Sequence, residues 1–264
     1  MSLLSETFAT TRAEGRAALV GYLPAGFPSA AEAVAVIAAM VENGVDIVEV
    51  GLPYSDPLMD GPIIQSAVDT ALAGGTRIRD VLACVAATAA SGAPALVMSY
   101  WNPIERYGTV RFADELAAAG GVGVITPDLT PEEAGECIAA TDAARLDRVF
   151  LVAPSSTDER IQTVAGVTTG FVYAASTMGV TGVRTAVSGA AEQLVARVRA
   201  ATTLPVCVGL GVSTGAQAAE VAGYADGVIV GSAFVRAVQS ADSPAAARAA
   251  VGRLSRELAA GVRG

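Results

Sequence analysis

Val45-Asp46-Ile47-Val48-Glu49-Val50-Gly51-Leu52-Pro53-Tyr54-Ser55-Asp56-Pro57-Leu58-Met59-Asp60-Gly61-Pro62 is the stretch around which the chain is organised. It begins as an apolar run in which Val45, Ile47, Val48 and Val50 are β-branched, the pattern of a strand buried on both faces in a parallel sheet. Glu49 interrupts that run. A carboxylate there must be paired, hydrogen-bonded or turned toward a cavity, because burying a bare charge is costly. After Gly51 the prolines at 53, 57 and 62 and the aspartates at 56 and 60 make a loop that is neither helix nor central strand. One strand end and its loop therefore deliver two carboxylates, Glu49 and Asp60, to the same rim, which outlines an acid/base site.

A length of 264 residues suits one barrel of the α/β type, which takes about 250. A hydrophobic fraction of 52% against 16% charged residues supplies a core and argues against disorder. The net charge of −9, with a pI near 4.6, disfavours nucleic acid or an anionic membrane as partner. Cys84, Cys137 and Cys207 are widely spaced and indicate neither a disulfide framework nor a metal site; Cys207 reads as core. The first residues lack a signal-peptide layout and no run of 18 apolar residues occurs, so the expected location is the cytoplasm. The sequence contains no histidine, which leaves Asp, Glu, Tyr or Cys for acid/base work and excludes a Ser-His-Asp triad.

Strand and helix signals alternate along the whole chain. Residues 3–13 read as a short amphipathic helix, 17–23 as the first strand, and Ser29 as the cap of a helix running to Asn43. Pro62 suits the first turn of a helix over 62–73, and Gly74-Gly75 separates it from a second over 79–91. Strands are expected at 95–100, 122–126, 148–152, 171–175, 205–208 and 227–230. Helices are expected near 109–119, 131–140, 157–165, 188–200 and 214–222, and after residue 232. In this reading Trp101-Asn102-Pro103 is a loop and Asp128 with Pro131 starts a helix. Eight strands alternating with eight or more helices, with no polar linker, call for a single (β/α)8 TIM barrel over residues 1–264 with an extra N-terminal helix. An open doubly wound sheet is the alternative, but its G-x-G-x-x-G turn is absent.

Barrel active sites form at the C-terminal ends of strands. Glu49, Asp60, Tyr100, Asp128 and Tyr173 fall there, and so do the glycine clusters Gly179-Val180-Thr181-Gly182, Gly209-Leu210-Gly211 and Gly231-Ser232. Glycines after late strands, followed by helix starts, can cradle an anion with backbone N–H groups. Taken singly, each feature also has a plain structural reading. Glu49 could be a buried partner, Asp60 a turn residue, the glycines tight turns, and Tyr100 and Tyr173 core or rim aromatics.

Taken together, the blocks resemble the tryptophan synthase alpha subunit family along nearly the whole chain. Val48-Glu49-Val50-Gly51-Leu52-Pro53-Tyr54-Ser55-Asp56-Pro57-Leu58-Met59-Asp60-Gly61-Pro62 is similar to that family's signature. Ala25-Gly26-Phe27-Pro28, Ser99-Tyr100-Trp101-Asn102-Pro103, Pro127-Asp128-Leu129 and the three glycine clusters match its other blocks in order. The resemblance implies retro-aldol cleavage of indole-3-glycerol phosphate to indole and glyceraldehyde 3-phosphate, with no metal and no organic cofactor in this subunit. It implies Glu49 as principal acid/base, Asp60 as acceptor of the indole N–H, and Tyr173 as a third residue near the reacting centre. Gly182, Gly211, Gly231 and Ser232 become the phosphate site, and Tyr22, Met98, Tyr100, Ile125 and Leu210 the indole pocket. It also implies a partner, a pyridoxal-phosphate-bearing beta subunit in an α2β2 complex. A stand-alone lyase releasing free indole and a catalytically idle regulatory subunit are the alternatives.

Two segments depart from the family pattern: Thr130 stands where proline is common, and Val183 to Gly189 matches no block. The loops 52–61 and 179–189 have little apolar content to anchor them, and both are expected to be mobile without ligand.

Overall fold

The computed structural model describes residues 2–175, 184–209 and 211–264, the side chains of 184–188 excepted. Helix α1 (Leu3–Ala13) leads into β1 (Ala18–Pro24), α2 (Ala30–Glu42), β2 (Ile47–Gly51), α3 (Pro62–Ala73) and α4 (Ile78–Ala90). Then come β3 (Ala95–Met98), α5 (Trp101–Tyr107), α6 (Thr109–Ala118), β4 (Gly123–Ile125), α7 (Gly135–Ala144), β5 (Asp147–Val149) and β6 (Leu151–Val152). The chain continues through α8 (Asp158–Val167), β7 (Val172–Ala175), α9 (Arg184–Ala201), β8 (Val206–Gly209) and α10 (Gly215–Ala222). It ends with β9 (Gly227–Val230), α11 (Ser232–Gln239) and α12 (Pro244–Arg263).

All strand pairs are parallel, in the order β5-β4-β3-β2-β1-β9-β8-β7-β6. The expected fifth strand is recorded in two pieces interrupted at Phe150. β5 pairs with β4 and β6 with β7, so that one stretch of chain brings the two ends of the sheet together into a nearly closed barrel. Among the described residues there are thus nine strand segments, the eight expected strands with the fifth divided in two.

Alternation along each strand sorts the core into two parts. Val48 and Val50 face the helices, whereas Ile47 joins Ala18, Val20, Leu96, Ile125, Phe171 and Cys207 inside the barrel. Helix α1 plugs the N-terminal end: Leu4 and Phe8 join the inner cluster, and Phe8 meets Phe171 edge-on at 5.8 Å between centroids. With that floor sealed, the inner side chains at the other end are left to form a site.

Several boundaries differ from the sequence reading, each for a visible reason. Trp101-Asn102-Pro103 opens the extra helix α5 because Asp128 reaches over and accepts the Trp101 N–H, at 2.9 and 3.2 Å from its two oxygens. Asp128 therefore stabilises the start of α5 rather than a helix of its own. Residues 131–134 form a turn and α7 begins only at Gly135. Helix α9 begins at Arg184, not near 188. Ser29 caps α2 and Pro62 occupies the first turn of α3, as expected.

Candidate active site

Glu49 is the third residue of β2, on the inner face with Ile47 and Gly51. It is 1% exposed, and its Oε1 has no hydrogen-bond partner. Burial alone raises its pKa from the ordinary 4.5 to about 8, so the side chain is a neutral acid at pH 7. An unpaired buried carboxyl costs stability, and among the described residues no charged or hydrogen-bonding neighbour offsets that cost.

Asp60 ends the loop after β2 and is half-buried. Tyr100 Oη donates to Asp60 Oδ1 at 3.1 Å and accepts the Met59 N–H at 3.1 Å. Burial raises the Asp60 pKa, and the Tyr100 hydrogen bond opposes the rise. Tyr100 itself is pushed up to about 12, mainly by burial, so its proton stays in place to be donated. The loop is also held from other sides. Asn102 Nδ2 donates to Tyr54 Oη at 3.0 Å, the Tyr54 and Tyr100 rings lie 5.6 Å apart, and Gln65 Nε2 donates to the Asp60 carbonyl at 2.6 Å. Sequence reading missed Tyr54, Gln65 and Asn102 as anchors of the 52–61 loop. Tyr54 inside the signature and Asn102 beside Trp101 were the available signals.

Two further phenols line the mouth. Tyr22 on β1 stands in register with Glu49, and Tyr173 on β7 in register with Cys207. Burial, and then nearby carboxylates, hold both phenols well above their ordinary pKa. Tyr22 responds to Asp60 and then Glu49, and Tyr173 to Glu49. Met98 is half-buried at the end of β3, and Ile125 is fully buried at the end of β4.

The late strands supply backbone donors. No side chain caps α11, and its first internal hydrogen bond runs from Val235 N–H to the Gly231 carbonyl at 3.2 Å. The N–H groups of Ser232, Ala233 and Phe234 precede that bond and point out of the helix start. Helix α10 differs, because the Thr214 side chain caps it. Gly211 is exposed with φ +70°, and a Cβ placed there would meet nothing within 4 Å, so the backbone is open to a ligand. Leu210 and residues 179–183, Gly182 among them, lie outside the described residues, and the rest of the 179–189 stretch belongs to α9.

The structure therefore brings Glu49, Asp60, Tyr22, Tyr100 and Tyr173 to one mouth, with the Gly231–Ser232 start of α11 beside Tyr22. A hollow of about 400 Å³ opens at the opposite end of the barrel, lined in part by Arg12, Arg16, Asp226 and Arg263. Arg16 there is bound to Asp46 at 2.7 and 2.9 Å, and among the described residues no pair of side-chain carboxyls lines the space, in contrast to Glu49 and Asp60 at the other mouth. All 17 basic residues are arginine. The chain therefore offers no lysine amine from which a Schiff base could form. Among the described residues no group of three metal-ligating side chains occurs, and no helix is long and apolar enough to cross a membrane.

Comparison with known proteins gives a consistent result. The family model described as tryptophan synthase alpha chain matches residues 8–263. The tryptophan synthase alpha chain of Thermobifida fusca is 60% identical over 266 residues, covering 100% of this chain and 98% of its own length. That of Nocardia farcinica is 60% identical, with coverage of 99% and 96%. Among solved structures, Mycobacterium tuberculosis tryptophan synthase superposes with a TM-score of 0.92 at 55% identity, covering 100% of this chain and 99% of that one. The alpha subunit from Legionella pneumophila gives a TM-score of 0.90 at 30% identity, with coverage of 99% and 98%.

Proposed function

The chain belongs to the tryptophan synthase alpha chain family, and from that premise we propose that Glu49 and Asp60 perform its lyase chemistry. The family reaction is cleavage of a carbon–carbon bond in indole-3-glycerol phosphate, the alpha-subunit step of tryptophan biosynthesis. The observation that carries the assignment is the Glu49 carboxyl, 1% exposed and unpaired at Oε1, whose burial raises its pKa to about 8. A group in that state is poised to give a proton.

Glu49 protonates indole C3. The ring becomes an indoleninium cation whose N–H donates to the Asp60 carboxylate, and the negative charge stabilises the cation. The Glu49 carboxylate then removes the proton of the glycerol hydroxyl beside the breaking bond. The oxygen electrons form the aldehyde carbonyl, the C–C bond electrons neutralise the ring, and Glu49 is an acid again. Protons and electrons balance without an amine or an external oxidant. Tyr173 stands near the reacting atoms. Tyr22, Met98, Tyr100, Ile125 and Leu210 wall the indole. Backbone N–H groups at Gly182, Gly211, Gly231 and Ser232 hold the phosphate, supported by the uncapped start of α11.

On this reading the chain is one domain over residues 1–264, works in the cytoplasm, and needs no cofactor of its own. Its partner is a pyridoxal-phosphate-bearing beta subunit in an α2β2 complex. The exposed Leu58 and Met59 on the active-site rim, 76% and 42% accessible, suit a surface that a partner covers. The test is release of indole from indole-3-glycerol phosphate by the purified chain, alone and with beta subunit. Turnover that rises with partner supports the account, and no indole under either condition rejects it.

A further inference from the structure

Tyr22 lies on the inner face of β1 by alternation with Ala18 and Val20, directly beside Glu49 on β2. Its ring is set between two glycines. A Cβ on Gly51 would collide with Tyr22 Oη, and one on Gly231 would stand 3.3 Å from Cδ1. Gly51 is also the next residue after Glu49 on the same face of β2, so that strand places no side chain between the Glu49 carboxyl and the Tyr22 hydroxyl. The hydroxyl makes no hydrogen bond among the described residues, although Tyr22 is only 7% exposed. Adjacent strands thus hold an unused donor and, at Glu49 Oε1, an unused acceptor.

The catalytic cycle needs such a donor. Once its proton has gone to the substrate, Glu49 is an anion in a nearly closed site, a state that is costly unless a hydrogen bond compensates it. The titratable groups facing it are Tyr22 on β1, Tyr173 on β7 and Cys207 on β8. Asp60 and Tyr100 lie beyond and are bonded to each other. Cys207 is a weak donor, and the Tyr173 hydroxyl leans over Gly209 on β8. Tyr22 alone sits in the neighbouring register position. Resting on the reading of Glu49 as proton carrier, we propose that Tyr22 is a positioning residue: its hydroxyl donates a hydrogen bond to the Glu49 carboxylate while the proton is away, and so stabilises that anion. Burial and the two carboxylates keep the Tyr22 phenol protonated, so the donor is always present.

Tyr22→Phe keeps the ring and removes only the donor. The Glu49 titration is followed in the ligand-free chain by infrared difference spectroscopy, with Glu49→Gln identifying its carboxyl band. A charge-assisted hydrogen bond lost from the ionised form should raise Glu49 proton affinity about tenfold, moving the midpoint up by about one pH unit. In turnover, kcat should fall about tenfold with little change in KM, and the basic limb of the pH–rate profile should move upward. Tyr22→3-fluorotyrosine, a stronger donor of nearly the same shape, should move the Glu49 midpoint downward. An unchanged midpoint in a folded variant of either kind, or a downward move in Tyr22→Phe, overturns the proposal. Because the titration needs no substrate, a wild-type chain that released no indole would reject the lyase reading while the Tyr22–Glu49 bond was still decided.

Discussion

A buried, unpaired glutamic acid makes predictions about stability as well as rate. Glu49→Gln preserves volume and removes proton transfer, a contribution of about 10²–10⁴ in rate, while ligand binding should be largely kept. The stability effect has the opposite sign. Below about pH 4.5 the residue is neutral in both folded and unfolded chains, so nothing is lost. Between 4.5 and about 8 the unfolded chain releases a proton that the folded chain retains. The wild type therefore loses stability as pH rises through that window, by at most about 1.4 kcal/mol per pH unit. A glutamine in its place has no proton to lose, so the stability gap in favour of Glu49→Gln should widen between urea titrations at about pH 5 and about pH 8. A gap independent of pH would show that Glu49 ionises normally. Asp60→Asn should lose turnover number rather than binding alone, because an amide brings no negative charge to the indole cation. Unchanged kcat with a raised KM would reduce Asp60 to an anchoring role. The sequence exposed these two residues because a carboxylate in a β-branched run and another in a proline-rich loop are chemically out of place. It could not expose the Tyr100–Asp60 bond, which joins residues 40 positions apart.

Among the elements, the start of α11 makes the sharpest prediction. Gly231→Asp places a carboxylate where the open N–H groups of Ser232 and Ala233 would meet a phosphate, and crowds Tyr22 as well. Gly211→Asp adds the same charge and also forces a side chain into φ +70°. Both should weaken binding of glycerol phosphate analogues far more than binding of indole in calorimetric titrations. Equal losses for the two ligands would remove the phosphate from this end of the barrel. Alternation and β-branched runs made the strands legible, and capping residues such as Ser29 made the helix starts legible. Helix α5 was not legible, because its first N–H is satisfied by Asp128, 27 residues later, rather than by a local cap. The anchoring of the 52–61 loop escaped for a related reason: its holds include hydrogen bonds to Tyr100, Asn102 and Gln65 and the Tyr54–Tyr100 ring contact, all made to residues outside the loop.

The molecule is a barrel plugged at one end by α1, with Glu49 and Asp60 at the other and the exposed apolar pair Leu58 and Met59 on that rim. A beta subunit seated on that rim would hold the 52–61 loop, and with it Asp60, in its working position. It would raise turnover by shifting a population rather than by adding a catalytic group. Hydrogen exchange on residues 52–61 should then slow in steps, from free chain to substrate-analogue complex to beta-subunit complex. Equal protection in all three would assign any activation to another cause. The account as a whole rests on Glu49 as the proton carrier, and single-turnover cleavage of indole-3-glycerol phosphate tests that most directly. The wild-type chain should release indole and glyceraldehyde 3-phosphate in equal amounts, and Glu49→Gln, binding the substrate with nearly the same affinity, should be slower by about 10²-fold or more. A Glu49→Gln chain that cleaved at a near-normal rate would contradict the account.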